Sequence, residues 1–354
     1  MMHSLCYPLD QSPLYMAGSK VRLCELLGIT TKDLRLLLAL ENYREWTAKQ
    51  KLADKLANLP AKSRNIEEPK PLLRLLHKRI ALLLDKIEKP DFLYSARKGC
   101  SYFSNALQHQ RSEGAVRVDI KSFYPSVRQR MVKEFFESQM RMPADVAHTL
   151  AKLCCHDGKL PTGSPLSPIL SYFACSPFFS RVAAIADRLG LQFTLYVDDM
   201  VFSGKGANRA LADQIKRELA GVALIGHKVS YFPAGGAKVI TGAAVFPDRI
   251  EVPFKRQRRI RKFEEAFAKT TNVATRGAGT PWAAWGPGAG RPGPGPRARP
   301  VEVRLAALEA RTPEIHGKAN AKRRKKPVGK SIMREIARKA AVLREHRLEA
   351  DVCS

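Results

Sequence analysis

Apolar positions repeat along this chain with two periods, and each change of period marks an element. Val21 to Leu27 has helical spacing and ends at Gly28, and Thr30 or Thr31 can cap a second helix from Lys32 to Leu40. Residues 20–59 therefore read as helix-rich, followed by a basic loop, Lys62-Ser63-Arg64-Asn65-Ile66, and by Pro69 and Pro71. Leu72, Leu73, Leu76, Ile80, Leu83, Leu84 and Ile87 fall on one helical stripe. A loop and a helix start cover 91–110. At Val116-Arg117-Val118-Asp119-Ile120 the period drops to two, the signature of a strand buried on one side. Helices follow through roughly 127–155, and the Pro/Gly loop Leu160 to Pro168 opens an apolar helix from Ile169. Two short apolar runs, Leu191 to Leu195 and Met200 to Phe202, flank Tyr196-Val197-Asp198-Asp199, which reads as the tip of a tight hairpin. An amphipathic helix from Arg209 to Leu219 and further strands within 238–253 complete an α+β layout.

At Arg276 the composition changes. Seven Gly and six Pro among residues 276–300, with no acid, cannot pack a core and read as a linker. Beyond it lie the cationic run Lys322-Arg323-Arg324-Lys325-Lys326 and a last amphipathic pattern, Ile332, Met333, Ile336, Ala340 and Leu343. The domains expected are an N-terminal helical region (1–59), a central body (60–253), a basic helical segment (254–275), the linker (276–300) and a basic helical tail (301–354).

Charge narrows the function. In 354 residues, 61 Lys and Arg against 33 Asp and Glu leave +28, the electrostatic footprint of a polyanion binder. The cations are spread over the body as well as the tail, so the body itself is expected to hold nucleic acid. Seven cysteines without a C-x-x-C pair read as free thiols of a reducing compartment, not a disulfide or zinc framework. No apolar run approaches the roughly 18 residues of a membrane span, and the first ten residues do not form a signal peptide. The expectation is a cytoplasmic protein without a membrane partner.

Two adjacent carboxylates between hydrophobic strands repel unless a cation sits there. Asp119, 79 residues earlier and also at a strand end, would complete a set of three acids able to hold two Mg²⁺ ions, which favour carboxylate oxygens and leave positions open for phosphates. With their surroundings these residues resemble the palm of a reverse transcriptase. Asp119-Ile120-Lys121-Ser122-Phe123-Tyr124 is similar to the first catalytic motif of that family, and Tyr196-Val197-Asp198-Asp199 to the second. Leu160 to Pro168 resembles the loop-to-helix motif between them. Asn105-Ala106-Leu107-Gln108-His109 matches the N-A-x-x-H signature of the retron type, Ile240-Thr241-Gly242 is close to its V-T-G, and Ser63 to Pro69 is similar to a fingers motif. The resemblance covers residues 60 to 268.

It implies a right-hand polymerase with helical fingers, an antiparallel-sheet palm and a short basic thumb. Asp119, Asp198 and Asp199 would be catalytic and hold the two ions, with the backbone carbonyl of Ile120 as a further ligand. Tyr124, five residues after Asp119, would lie under the sugar and exclude a 2′-hydroxyl. Arg64 would grip the triphosphate. Thr162, where many relatives carry Gln, and Gly163 would line the nucleotide, and Lys228 is the candidate donor of a proton to pyrophosphate. Asn105 and His109, one helical turn apart, read either as a structural pair or as RNA contacts; they are taken here as RNA contacts. Lys255, Arg256, Arg258 and Arg259 open the thumb, where each cation adds salt-sensitive phosphate affinity. The partners implied are dNTPs, a structured non-coding RNA serving as template and primer, the branched RNA–DNA product primed from a 2′-hydroxyl, and an effector protein in anti-phage defence. A reverse transcriptase of another prokaryotic type and a non-catalytic RNA-binding scaffold are the competing readings.

Overall fold

The computed structural model describes residues 6–48, 54–55, 57–60, 63–110 and 113–277, with side chains as far as Ala266. Lys62, the linker beyond Gly277 and the basic tail lie outside the described residues.

The chain enters through α1 (Lys20–Leu27), capped by the Ser19 side chain and closed by Gly28 at φ 69°, the left-handed conformation that favours glycine. In α2 (Thr31–Ala39), Thr30 and Asp33 form a reciprocal capping box. The helical reading of 20–59 then fails: β1 (Tyr43–Thr47) pairs antiparallel with β2 (Asn65–Pro69). Four of the five β1 residues are exposed, so the ribbon carries no apolar alternation to read. The pair also straddles the expected boundary at 59/60. Leu14, Leu23, Leu27, Leu34 and Leu37 join the same core as the central body, so the N-terminal region is not a separate unit.

Next come α3 (Pro71–Asp85), α4 (Tyr102–Leu107), β3 (Ala115–Ile120), α5 (Phe123–Ser126) and α6 (Gln129–Glu134). A π-helical turn over Phe135–Gln139 leads to α7 (Ala144–Cys154), α8 (Ser167–Ala174) and α9 (Ser176–Arg188). Then follow β4 (Gln192–Tyr196), β5 (Asp199–Ser203), α10 (Arg209–Gly221), β6 (Gly226–Phe232), β7 (Lys238–Ile240), β8 (Ala243–Val245), β9 (Ile250–Glu251) and α11 (Phe254–Gly277). The helix of the basic segment starts at Phe254.

The central sheet is antiparallel, in the order β4-β5-β3-β6. One face, with Val116, Val118, Ile120, Leu195, Met200 and Phe202, packs on Phe179, Val182, Leu211 and Ile215 of α9 and α10. The other face carries Arg117 and Asp119 on β3 and Asp199, Val201 and Ser203 on β5. At its far end Val201 packs on Ile240, Ala243 and Val245 of the β7-β8-β9 sheet. Catalytic candidates therefore occupy the open end of a face whose other end is sealed. Among the described residues no single helix is long and apolar enough to cross a membrane; α8 and α9, bent by 66°, supply core side chains instead. The six described cysteines are free, and four of them are buried.

Candidate active site

The register of the central sheet collects the acids. Asp119 pairs with Asp199 across β3 and β5, and Tyr196 pairs with Asp199 across the β4–β5 hairpin, leaving Val197-Asp198 as a two-residue turn. The Ile120 amide donates to the Asp198 carbonyl at 3.0 Å, which ties the turn to the end of β3. Val197 adopts φ 59°, a conformation that costs a β-branched residue about 1–3 kcal/mol. Its amide donates to Ser95 Oγ at 2.9 Å, one of the contacts that hold the turn. Ser122, just after β3, is also left-handed at φ 47°.

Arg117, which sequence reasoning missed, stands two residues before Asp119 on the same face. Its Nε lies 3.2 Å from Asp199 Oδ1, with both side chains largely buried, and its guanidinium donates to the Val239 carbonyl at 3.0 Å. The Asp199 contact is a charge pairing without hydrogen-bond alignment, so Asp199 Oδ1 is buried with no hydrogen-bond donor. Burial pushes the Asp199 carboxyl up to about 7; Arg117 opposes this, and Asp119 and Asp198 add to it. Asp198 is raised for the same first reason, burial, with Asp119 adding and Arg117 and Arg64 opposing. Three converging carboxylates, one with an orphaned oxygen, have Arg117 as their ion-pair partner among the described residues, which leaves the site short of positive charge. Its oxygen donors suit hard divalent cations.

Around this centre stand several predicted residues. Tyr124 lies beside Asp198: burial first, then the charges of Asp198 and Tyr196, pushes its hydroxyl up to about 12. Lys228 on β6 is the register partner of Asp119, so its exposed side chain leaves the sheet on the catalytic face. No strand is legible there from the residue pattern, because β6 alternates too weakly. Arg64 precedes β2 and is near enough for its charge to lower the Asp198 carboxyl.

Other predicted roles change. Thr162, which is exposed, and Gly163 bond to β2. Thr162 Oγ1 donates to the Asn65 carbonyl at 3.1 Å and accepts from the Glu67 amide at 3.3 Å, while the Gly163 amide donates to the Glu67 carbonyl at 3.0 Å. The close approach that Gly163 allows is to this strand: a Cβ there would stand 2.7 Å from the Glu67 carbonyl oxygen. Lys159 adds an ion pair to Glu67 at 2.9 Å, so the loop fixes the β1–β2 ribbon against the palm.

Asn105 and His109 are fully buried and do not reach an RNA. The His109 ring bridges Ser203 Oγ (2.6 Å) and Thr194 Oγ1 (2.7 Å), joining the turn after α4 to β5 and β4. Burial, then the charge of Lys238, lowers its pKa to about 3, so it is neutral. Asn105 Nδ2 donates to Thr241 Oγ1 at 3.4 Å, and that hydroxyl donates to the Tyr102 carbonyl at 2.7 Å. The two signature motifs thus pack on each other. A threonine and a serine at inward positions of otherwise apolar strands are the sequence signal for this buried histidine.

In α11, Arg256 packs over the Tyr102 ring and against Gly242, so it supports the fold rather than a phosphate. Arg259 pairs with Asp54 at 3.1 Å. Lys255 and Arg258 are exposed.

Residues 49–224 match the family model described as reverse transcriptase (RNA-dependent DNA polymerase). The chain is similar to reverse transcriptases of the retron type. It is 35% identical over 146 residues to the retron Se72 reverse transcriptase of Salmonella heidelberg (strain 579083-10), covering 40% of this chain and 38% of that protein. It is 28% identical over 186 residues to the retron Ec86 reverse transcriptase of Escherichia coli (52% and 56%), and 27% over 227 to the retron Mx162 reverse transcriptase of Myxococcus xanthus (57% and 45%). The chain spans about half the length of the curated relatives it matches.

Proposed function

We propose that this protein is a retron-type RNA-directed DNA polymerase that copies a structured non-coding RNA into DNA. The observation that carries the reading is the β3–β5 register, which sets Asp119 against Asp199 beside the Asp198 turn at the open end of the palm face. Asp119, Asp198 and Asp199, with the Ile120 carbonyl, would hold a pair of Mg²⁺ ions. Bound there, the ions supply charge neutralisation at the attacking and leaving oxygens of phosphoryl transfer.

The protein's own groups do the rest. Asp119 and Asp198 orient the reacting end of the primer, and Arg117 keeps Asp199 in place from behind. The Tyr124 ring, held beside Asp198 by burial, closes the space a ribose 2′-hydroxyl needs. Arg64 faces the triphosphate from the ribbon that the 162–163 loop fixes. Lys228, level with Asp119, can give a proton to the departing pyrophosphate. Priming from a 2′-hydroxyl, a branched RNA–DNA product, an effector partner, a role in anti-phage defence and a cytoplasmic location complete the proposal, on the retron kinship.

The test is primer extension with Mg²⁺ and dNTPs on an RNA template. Wild-type protein should extend, and Asp119→Asn and Asp198→Asn should lose at least about a thousandfold in rate, as when several kcal/mol of transition-state stabilisation is removed. Normal extension by either variant would refute the site; RNA binding without any extension by wild type would favour a scaffold.

A further inference from the structure

We propose that the face of the β1–β2 ribbon that carries Arg44 and Trp46, with the adjoining edge of α3, is a binding site for single-stranded RNA. The inference rests on reading the protein as a polymerase that works on RNA. Alternation along the ribbon divides its side chains. Glu45 and Glu67 turn to the palm, where they pair with His156 (2.8 Å) and Lys159 (2.9 Å). Arg44, opposite Glu68, and Trp46, opposite Ile66, leave by the other face.

On that face Arg44, Lys70, Arg74, Lys78 and Glu68 line a groove of about 430 Å³. Lys70, Arg74 and Lys78 stand four residues apart along the start of α3, so they share one side of it. Arg74 pairs with Glu68, and Lys70 donates to the Glu41 carbonyl at 2.7 Å. Among the described residues Arg44 and Lys78 make no ion pair, so the groove holds an excess of cation over acid. Trp46 is 40% exposed, on the same face as Arg44 and two residues from it.

An exposed indole next to a cationic groove is the combination that holds unpaired nucleotides. The ring stacks on a base of any identity while the cations follow the phosphates. A base-paired strand offers no free base face to the indole. An acidic peptide would engage the cations and leave the indole unused. Single-stranded RNA is the partner that uses both halves of the surface.

The test uses the full chain with Trp282 and Trp285 replaced by Phe, which leaves Trp46 as the sole indole of the three. Probes are a 12-nucleotide oligouridylate, a 12-base-pair RNA duplex and polyglutamate; extension of a short hairpin primer–template is followed in parallel. Oligouridylate should quench Trp46 saturably and more strongly than either other probe. Trp46→Leu should weaken oligouridylate binding about tenfold, read by anisotropy of labelled RNA. Arg44→Gln with Lys78→Gln should do the same and lower the salt slope by about 1.4, at about 0.7 per phosphate. Both variants should melt with the parent and extend the hairpin within twofold of it. Quenching without any extension by the parent would support the RNA site while refuting the polymerase reading. Normal extension with no quenching, with equal quenching by duplex or polyglutamate, or with undiminished binding by the variants would overturn the site.

Discussion

Gly163→Ala adds one methyl group where the structure has no room for it. The new carbon would stand 2.7 Å from the Glu67 carbonyl oxygen and 2.8 Å from Ile66 Cγ2, well inside contact distance. The oxygen is backbone and cannot swing aside, so β2 must recede by several tenths of an ångström. That movement strains the 3.0 Å bond from the Gly163 amide to Glu67 and the paired bonds of Thr162. Overpacking of this kind costs about 1–3 kcal/mol, equivalent to roughly 2–4 °C in Tm per kcal/mol for a body of this size. Because Arg64 immediately precedes β2, the same shift should raise the KM for dNTP several-fold with a smaller change in kcat. Gly221→Ala is the internal control: it ends α10 with nothing within 4 Å of its would-be Cβ, so alanine there should be neutral or slightly stabilising. Thermal unfolding and steady-state primer extension measure both. Wild-type Tm and wild-type KM for Gly163→Ala would refute the idea that this loop and β2 are locked together.

His109→Ala strands two buried hydroxyls, Ser203 and Thr194, and opens a cavity; about 3–5 kcal/mol of stability should be lost in urea unfolding, with RNA affinity per folded molecule unchanged. An unchanged midpoint with weaker RNA binding would restore the RNA-contact role. His77 and His109, lowered to about 4 and about 3 chiefly by burial, stay neutral when folded, whereas the unfolded chain takes up protons near pH 6.5. Their contribution is therefore full above pH 6.5 and declines as pH falls toward 4, by about 1.4 kcal/mol per unit for each; a flat urea midpoint between pH 7 and 5 would contradict it. Asp199, raised to about 7, has the opposite sign: its contribution is present below the unfolded carboxylate pKa and lost as pH rises through 7. Asp199→Asn should then raise stability at pH 8 in EDTA, by at most about 4 kcal/mol, and an unchanged or lower Tm would argue against the buried charge. Tyr124→Ala should admit ribonucleotides in extension assays, and undiminished discrimination would remove the steric role.

The parts of this protein that depend on local patterning are legible in the order of its residues. Asp119 could be read because Val116, Val118 and Ile120 alternate around it, and Asp198-Asp199 because two apolar runs bracket Tyr196-Val197-Asp198-Asp199. Most of the helices and the strands β3 to β5, and hence the α+β layout, followed from the same periods. Features that depend on pairing between distant segments emerge with the folded chain. The β1–β2 ribbon buries Tyr43 and Pro69 at one end and little else, so its strands carry no hydrophobic rhythm. Gly163 looked like a place for substrate until the strand that fills the space was in position. Arg117 is one more basic residue until the β3–β5 register sets it against Asp199, and His109 looks like a polar surface residue until Ser203 and Thr194 close around it. Periodicity reports which side of an element is buried; which neighbour lies there is fixed by the register between chain segments far apart in sequence.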